Sequence, residues 1–355
     1  MKLNNREEKY FKEVTQLIAP SGNENEVSNY LLHEFNNLGL EIVKDNIGSI
    51  FALKKSKNPN AFKVMICGHM DEVGFLVGNI NNNGTIKPIC VGGFNFNSLQ
   101  AQRVVMINKF GEKLYGAIDT TPPHLLRNSS GVSEGDLLFD FGFLSKEDAI
   151  NHGVEIGAPM VCVGEFYYSA NKENFITKAI DDRYGIILGL EILHELKDKE
   201  LPFDLYVGGT VQEEVGCRGA LTSSYLIKPD LAIVLDCSPA RDSLGGNDLG
   251  KLGEGVLIRF FDRSMIAFKK LLQFQIEACE KANVKYQYFD SPGGTDAGNI
   301  HKNLDGILTL THCICARSIH TSSSIMRIDD YLASKKSLLM MLDMLTHEKL
   351  EELKY

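Results

Sequence analysis

Residues 62–71 read Phe-Lys-Val-Met-Ile-Cys-Gly-His-Met-Asp, an apolar run of strand length that breaks off at Gly68-His69-Met70-Asp71. The same punctuation recurs along the chain. Phe175 to Ala179 leads to Asp181 and then to a helix carrying Ile186, Ile187, Leu190 and Leu193. Leu205 to Val211 leads to Gln212-Glu213-Glu214, Leu231 to Leu235 leads to Asp236, and Ile307 to Cys315 precedes His320. Phe268 to Ala282 reads as a helix, and Lys335 to Leu345 as a final amphipathic one. Near-continuous apolar strands alternating with helices predict an α/β fold with a mixed, mostly parallel sheet covered by helices.

Toward the N-terminus, Tyr10, Phe11, Val14 and Leu17 fall at helical spacing. Ser21 and Glu24 have the form of a capping box for a second helix with Val27, Tyr30, Leu31 and Phe35, which Gly39 ends. Glu41 to Val43 and Ser49 to Lys54 are strand-like. From about Asp71 to Glu165 the texture changes: short apolar runs are separated by Asn81-Asn82-Asn83-Gly84, Gly92-Gly93, Lys109-Phe110-Gly111 and Glu134-Gly135-Asp136. Turn signals at this spacing predict a small β-barrel or sandwich at 71–164, inserted into an α/β domain made of 1–70 plus 165–355. A length of 355 residues suits two such domains.

The bulk numbers exclude several classes. Hydrophobic and charged fractions of 44% and 23% are those of an ordinary globular protein. No stretch approaches the roughly 18 apolar residues of a membrane span, and MKLNNREEKYFKEVTQLIAP is too polar for a signal peptide, so a cytoplasmic location is expected. A net charge of −9 argues against nucleic acid and anionic membranes as partners. The eight cysteines include no CxxC pair, and Cys67, Cys162, Cys237, Cys313 and Cys315 sit in or beside apolar runs, so reduced, buried thiols are expected.

His69, Asp181, the Glu213–Glu214 pair and Asp236 each follow an apolar strand, and His320 follows the last. In open α/β sheets, reactive groups gather outside the carboxyl ends of the strands. Singly, each has a plain structural explanation: a surface histidine, a turn-capping Asp236, a helix-capping Asp181-Asp182, two solvated glutamates. Jointly, so many polar groups at the ends of buried strands are costly without a shared partner. Two imidazoles and several carboxylates suit a pair of divalent cations such as Zn²⁺, Co²⁺ or Mn²⁺.

Several segments carry a resemblance. His69-Met70-Asp71-Glu72-Val73-Gly74-Phe75, Ala179-Ile180-Asp181-Asp182-Arg183, Val211-Gln212-Glu213-Glu214-Val215-Gly216, Gly293-Gly294-Thr295-Asp296-Ala297 and Ser318-Ile319-His320-Thr321 resemble the signatures of the M42 metallo-aminopeptidases. Pro122-Pro123-His124-Leu125-Leu126-Arg127, Asp236-Cys237-Ser238-Pro239-Ala240 and Leu252-Gly253-Glu254-Gly255 with Arg259-Phe260-Phe261-Asp262 are similar to the glutamyl aminopeptidase branch of lactic-acid bacteria. The resemblance implies a zinc-peptidase-like domain holding two divalent ions per subunit, Zn²⁺ or Co²⁺, with Mn²⁺ as the alternative. Asp181 would bridge both ions, His69 and Asp236 would complete one, and Glu214 and His320 the other. Glu213 would be the general base, and the Asp71 carboxylate would orient and polarise the His69 imidazole. Thr321 stands where relatives often have Ser, and every ligand position is kept.

In physical terms, water bridging two divalent ions has its pKa lowered from about 15.7 toward about 7, and Glu213 can take its proton and return it to the leaving amine. A metal that holds the free α-amine of a short peptide would make the site an exopeptidase. The branch further implies a preference for N-terminal Glu and Asp, which demands a cation in the first pocket; Arg259, Arg263 and Lys251 are candidates. The Gly293-Gly294-Thr295-Asp296 turn is either a substrate contact or a simple tight turn. The family also implies a homo-oligomer, a hollow tetrahedral dodecamer, with the inserted barrel in subunit contacts. Rival readings are a broad-specificity M42 aminopeptidase, a non-catalytic metal-binding assembly module, for which Glu213 would be superfluous, and a glycoside hydrolase, which gives His69 and His320 no role.

Overall fold

The computed structural model describes residues 2–121, 131–245 and 249–354; the Pro122–Arg127 motif lies outside them. The chain opens with α1 (Asn5–Val14), α2 (Asn25–Leu38), β1 (Glu41–Lys44), β2 (Ile50–Lys54) and β3 (Phe62–His69). It then runs through β4 (Gly74–Ile80), β5 (Ile86–Val91), β6 (Arg103–Ile107), β7 (Lys113–Ile118), β8 (Phe139–Asp140), α3 (Lys146–Asn151) and β9 (Pro159–Cys162). These six strands close into an antiparallel barrel in the order β4-β5-β8-β7-β6-β9. Phe75, Val77, Ile86, Met106, Phe139 and Met160 fill its interior.

The return path is β10 (Tyr167–Tyr168), β11 (Asn174–Thr177), α4 (Ile180–Leu196), β12 (Phe203–Thr210), α5 (Arg218–Ile227), β13 (Leu231–Ala240) and β14 (Val256–Phe261). It ends with α6 (Lys269–Lys281), β15 (Tyr286–Asp290), α7 (Ala297–Ile300), β16 (Leu308–Arg317), β17 (Ser324–Arg327), α8 (Ile328–Met344) and α9 (His347–Leu353). With β1–β3 these strands form an 11-stranded sheet, ordered β1-β2-β12-β3-β13-β16-β17-β11-β10, with β14 joined to β16 and β15 to β14. The long central strands β12, β3, β13 and β16 are parallel, and antiparallel pairs close both edges. The fold is therefore α/β with a mixed sheet, parallel at its core.

The apolar character of 62–67 has a direct cause. Val64 and Ile66 pack with α1, α4 and α8 residues such as Phe11, Ile187 and Leu338 on one face. Met65 and Cys67 pack with Ala220 of α5 and Ile300 of α7 on the other. Both faces are covered, so alternation with polar residues has no place there.

One local expectation fails. Ser21 and Glu24 do not form a capping box: Glu24 is the N-cap of α2 and makes no side-chain cap bond. Ser21 Oγ instead donates to Asp71 Oδ2 at 2.6 Å, and Glu24 Oε1 accepts from the Gly22 and Gln212 backbone N–H groups. Long-range partners for these buried side chains outcompete the local cap.

At the neck between sheet and barrel, Glu72 is buried and accepts from Lys178 Nζ at 2.7 Å and Arg183 Nη2 at 3.1 Å. Arg183 also donates to the Met70 and Val14 carbonyls, and Lys178 to that of Leu17. Burial pushes the Lys178 ammonium down to about 8. A Glu72→Leu variant should strand two buried cations. We expect it to lose about 3–5 kcal/mol of stability, read as a lowered urea midpoint with unchanged slope.

Candidate metal centre

The site is built on the carboxyl ends of the parallel strands. His69 is the last residue of β3, and Gly68 before it is tightly enclosed: a Cβ there would meet Asp182 Oδ2 at 2.4 Å. β12 ends at Thr210, and Gln212, in the left-handed region at φ 56°, turns the chain so that the Glu213 and Glu214 N–H groups reach the Asp71 carboxylate at 3.0 and 3.1 Å. Asp236 lies inside β13 rather than beyond its end. Its strand stays paired with β16 at that residue, while pairing with β3 stops at Val234, which opens the rim on the His69 side. His320 follows β16 with φ 59°.

Asp181 and Asp182 sit in the first turn of α4 with non-helical dihedrals and a cis peptide between them. The pair divides its work. Asp182 faces inward, accepting from the His69 N–H and the Gly185 N–H at 3.1 Å each, so it has the capping role open to either residue. Asp181 turns the other way, into the site.

Two histidines meet there on opposite oxygens of one carboxylate. His69 Nε2 is 3.2 Å from Asp181 Oδ1, and His320 Nε2 is 3.3 Å from Asp181 Oδ2 and 3.3 Å from Glu214 Oε1. On the far side of each ring, Nδ1 contacts a backbone carbonyl: Asp71 O at 3.0 Å for His69, Gly93 O at 2.9 Å for His320. A carbonyl only accepts, so each Nδ1 carries a hydrogen and each Nε2 of a neutral ring offers a lone pair. That lone pair faces carboxylate oxygen. The contact is favourable only with a proton or a cation between them. His69 finds its hydrogen-bond acceptor in the Asp71 carbonyl, while the Asp71 carboxylate is 3.5 Å from the ring.

The donors fall into two groups that share Asp181. His69, Asp181 and Asp236 bring ligand atoms within 4.8 Å of one another, as do Asp181, Glu214 and His320. Among the described residues, Glu214 Oε1 is buried with no hydrogen-bond donor when the His320 ring beside it is neutral. Nitrogen and carboxylate donors, shared through one bridging carboxylate and with an oxygen left unsatisfied, fit two divalent ions. Glu213 belongs to neither group; its Oε1 accepts from Cys217 Sγ at 3.3 Å.

Protonation follows the same crowding. Burial opposes a charge on His320, but Asp181 and Glu214 outweigh it and push it up to about 11. His69 is raised too, burial again being outweighed, here by Asp181 and Asp71. Burial would raise Asp181, yet the two imidazoles hold it below the ordinary carboxylate range. Burial, reinforced by neighbouring carboxylates, pushes Asp236, Glu213 and Glu214 up.

The donors line a cleft of about 250 Å³ that also includes Ser238, Gly293, Gly294 and Arg259. A larger cavity, about 660 Å³, opens beside the starts of β13 and β16 and holds none of the donors; chemistry rather than size selects the cleft. Of the three candidate cations, Arg259 lines the cleft, while Lys251 and Arg263 are exposed. The sequence reading missed the inward role of Asp182, the Ser21 bond to Asp71, and Gly93. Gly93 carries no chemical side chain, so no sequence signal could mark it.

The profile of the M42 glutamyl aminopeptidase family matches residues 48–336. A glutamyl aminopeptidase of Lactococcus lactis subsp. cremoris is 39% identical over 97% of this chain and 98% of its own length. Among solved structures, a TET aminopeptidase from a marine sediment archaeon of the Thaumarchaeota superposes with a TM-score of 0.93 at 32% identity, covering 99% of each chain. The TET1 peptidase of Pyrococcus horikoshii, which can assemble into a tetrahedron or a large octahedral shell, has a TM-score of 0.86 at 28% identity over 96% of this chain and 100% of its own. The chain belongs to the M42 peptidase family and is an aminopeptidase. Divalent metal ions are the cofactors this membership implies.

Cations must displace the protons that the raised groups hold in the metal-free site. Raising the pH empties those groups and weakens the competition. Apparent metal affinity, measured against a chelating dye, should therefore rise about tenfold or more per pH unit between about pH 6 and pH 8.

Proposed function

We propose that the chain removes N-terminal residues from short peptides, with glutamate and then aspartate preferred, by two-metal hydrolysis in which Asp181 is the shared ligand. The observation that carries this reading is the convergence of His69 and His320 on the two oxygens of Asp181. His69 and Asp236 hold one ion, Glu214 and His320 the other. Two divalent ions bound there lower the pKa of coordinated water toward about 7 and provide a position for a free α-amine.

The remaining work belongs to the chain's own side chains. Glu213 takes the proton of the attacking water and hands it to the leaving amine. Its burial beside other carboxylates, which raises its pKa, suits a group that must both accept and release a proton. Asp71 holds the Glu213 and Glu214 backbone and, through its carbonyl, the His69 ring, so base and ligand share one anchor.

Arg259 supports the acidic preference. It is 3% exposed and spends three donors: Nε on Asp262 at 3.1 Å, Nη1 on Ser238 Oγ at 3.2 Å and Nη2 on the Gly293 carbonyl at 2.6 Å. A guanidinium has five, so two N–H groups without a partner among the described residues are left for a substrate carboxylate. The 39%-identical Lactococcus enzyme, a glutamyl aminopeptidase, supports the same preference. The assembling Pyrococcus relative supports a closed homo-oligomer, a tetrahedral dodecamer to which the barrel at 71–164 contributes contacts.

Chromogenic N-terminal Glu, Asp, Leu and Ala amides test the reaction on metal-loaded and chelated protein; activity that survives thorough chelation rejects the metal mechanism. Glu213→Gln should keep two metals per chain while kcat falls by about 10²–10⁴. Metal lost together with activity would make Glu213 a ligand instead. Arg259→Met should lower the Glu-to-Leu ratio of kcat/KM by about 10- to 100-fold, the 1.5–3 kcal/mol typical of charged hydrogen bonds; an unchanged ratio would move the specificity elsewhere. Light scattering should give roughly twelve times the 39.5 kDa chain mass, and a monomeric mass would reject the assembly.

A further inference from the structure

Beside Glu213 lie two further donors, Cys217 and Asp296, that the reaction does not use. Cys217 sits at the start of α5, and its Sγ is 3.3 Å from Glu213 Oε1. Asp296, just before α7, brings a carboxylate to the same place: ligand atoms of Glu213, Cys217 and Asp296 all lie within 4.8 Å of one another. Asp296 is 1% exposed. One of its oxygens accepts from Thr210 Oγ1, and the other, Oδ1, is buried with no hydrogen-bond partner among the described residues. The backbone around the cluster is held, since Asn299 Nδ2 donates to the Cys217 and Gly216 carbonyls at 2.9 and 3.2 Å, tying the 216–217 turn to α7.

A buried, unsatisfied carboxylate oxygen beside a thiol and a second carboxylate calls for a cation or a proton donor. Bonds of about 2.3 Å to sulfur and about 2.1 Å to oxygen would need only small side-chain rotations from these positions. We propose that Glu213, Cys217 and Asp296 form a separate, inhibitory site for a thiophilic divalent cation, Zn²⁺ or Cd²⁺, filled when metal is in excess. On binding, the Cys217 thiol releases its proton to solvent and becomes a thiolate ligand, and the Glu213 carboxylate is withdrawn from the substrate cleft. Each ion of the principal centre also has three protein ligands, Asp181 being shared, so the order in which the sites fill is read by titrating protein that already carries two metals. Its single soft donor excludes hard cations such as Mg²⁺, whereas the principal centre offers only nitrogen and oxygen. The inhibitory consequence rests on Glu213 being the proton carrier; the site itself does not.

Protein carrying two metals per chain is titrated with Cd²⁺, following the ultraviolet cadmium–thiolate band, metal content and turnover together. We expect a third equivalent bound with appearance of the band, and activity falling by about tenfold or more. Cys217→Ser should lose both the band and the third equivalent while keeping two metals, and its remaining activity should not respond to Cd²⁺. Asp296→Asn should need more Cd²⁺ for the same band, and Mg²⁺ in the same excess should have no effect. Absence of the band, or its persistence in Cys217→Ser, overturns the site. A band without loss of activity overturns the inhibitory assignment. Failure of the aminopeptidase reading is seen separately, as no turnover before any Cd²⁺ is added, and leaves the band as the measure of the site.

Discussion

One contact organises this molecule: a buried aspartate, Asp181, held between the Nε2 atoms of two histidines whose Nδ1 hydrogens are already committed to backbone carbonyls. Such an arrangement is repulsive when the rings are neutral and no cation intervenes. Both rings are fixed from behind. The anchors come from widely separated parts of the chain: the Asp71 carbonyl just past β3, and the Gly93 carbonyl between β5 and β6 of the barrel. The inserted barrel therefore contributes to the centre directly, by setting the tautomer and the direction of His320.

The same logic extends outward. Asp71 accepts from Ser21, Glu213 and Glu214, so the first loop, the end of β3 and the turn after β12 are joined at one carboxylate. Asp182 ties the His69 backbone to α4, with Gly68 and Gly185 leaving room for it. The Glu72–Lys178–Arg183 cluster closes the neck below the barrel. Left-handed backbone at Gln212 and His320 marks where the chain is bent to present donors; such conformations cost energy and are kept by the bonds around them.

Much of this was legible beforehand, for identifiable reasons. Strands buried on both faces must be apolar, so 62–67, 205–211 and 231–235 declare themselves, and the polar residues that follow them stand out. Local rules served less well where a distant partner was available. Ser21 and Glu24 satisfy the pattern of a capping box, yet Ser21 bonds Asp71 and Glu24 accepts from Gln212 as well as from nearby Gly22. Asp236 reads as a residue past a strand end because the apolar run stops there, but β13 continues on β16; the polarity marks the open rim, not the end of the strand.

By itself, the sequence determined the α/β class with a barrel interrupting it, the donor types at 69, 181, 213–214, 236 and 320, and a family assignment carried by several motifs in order. These depend on composition, periodicity and residue identity, all of which are local. Only the tertiary structure decided that Asp182 turns inward to the His69 and Gly185 backbone, and which cation among Lys251, Arg259 and Arg263 reaches the cleft. It also placed a carbonyl from the barrel behind His320, and a thiol and a second buried aspartate beside Glu213. Each of those is a matter of direction and distance between segments far apart in the chain, and folding alone supplies them.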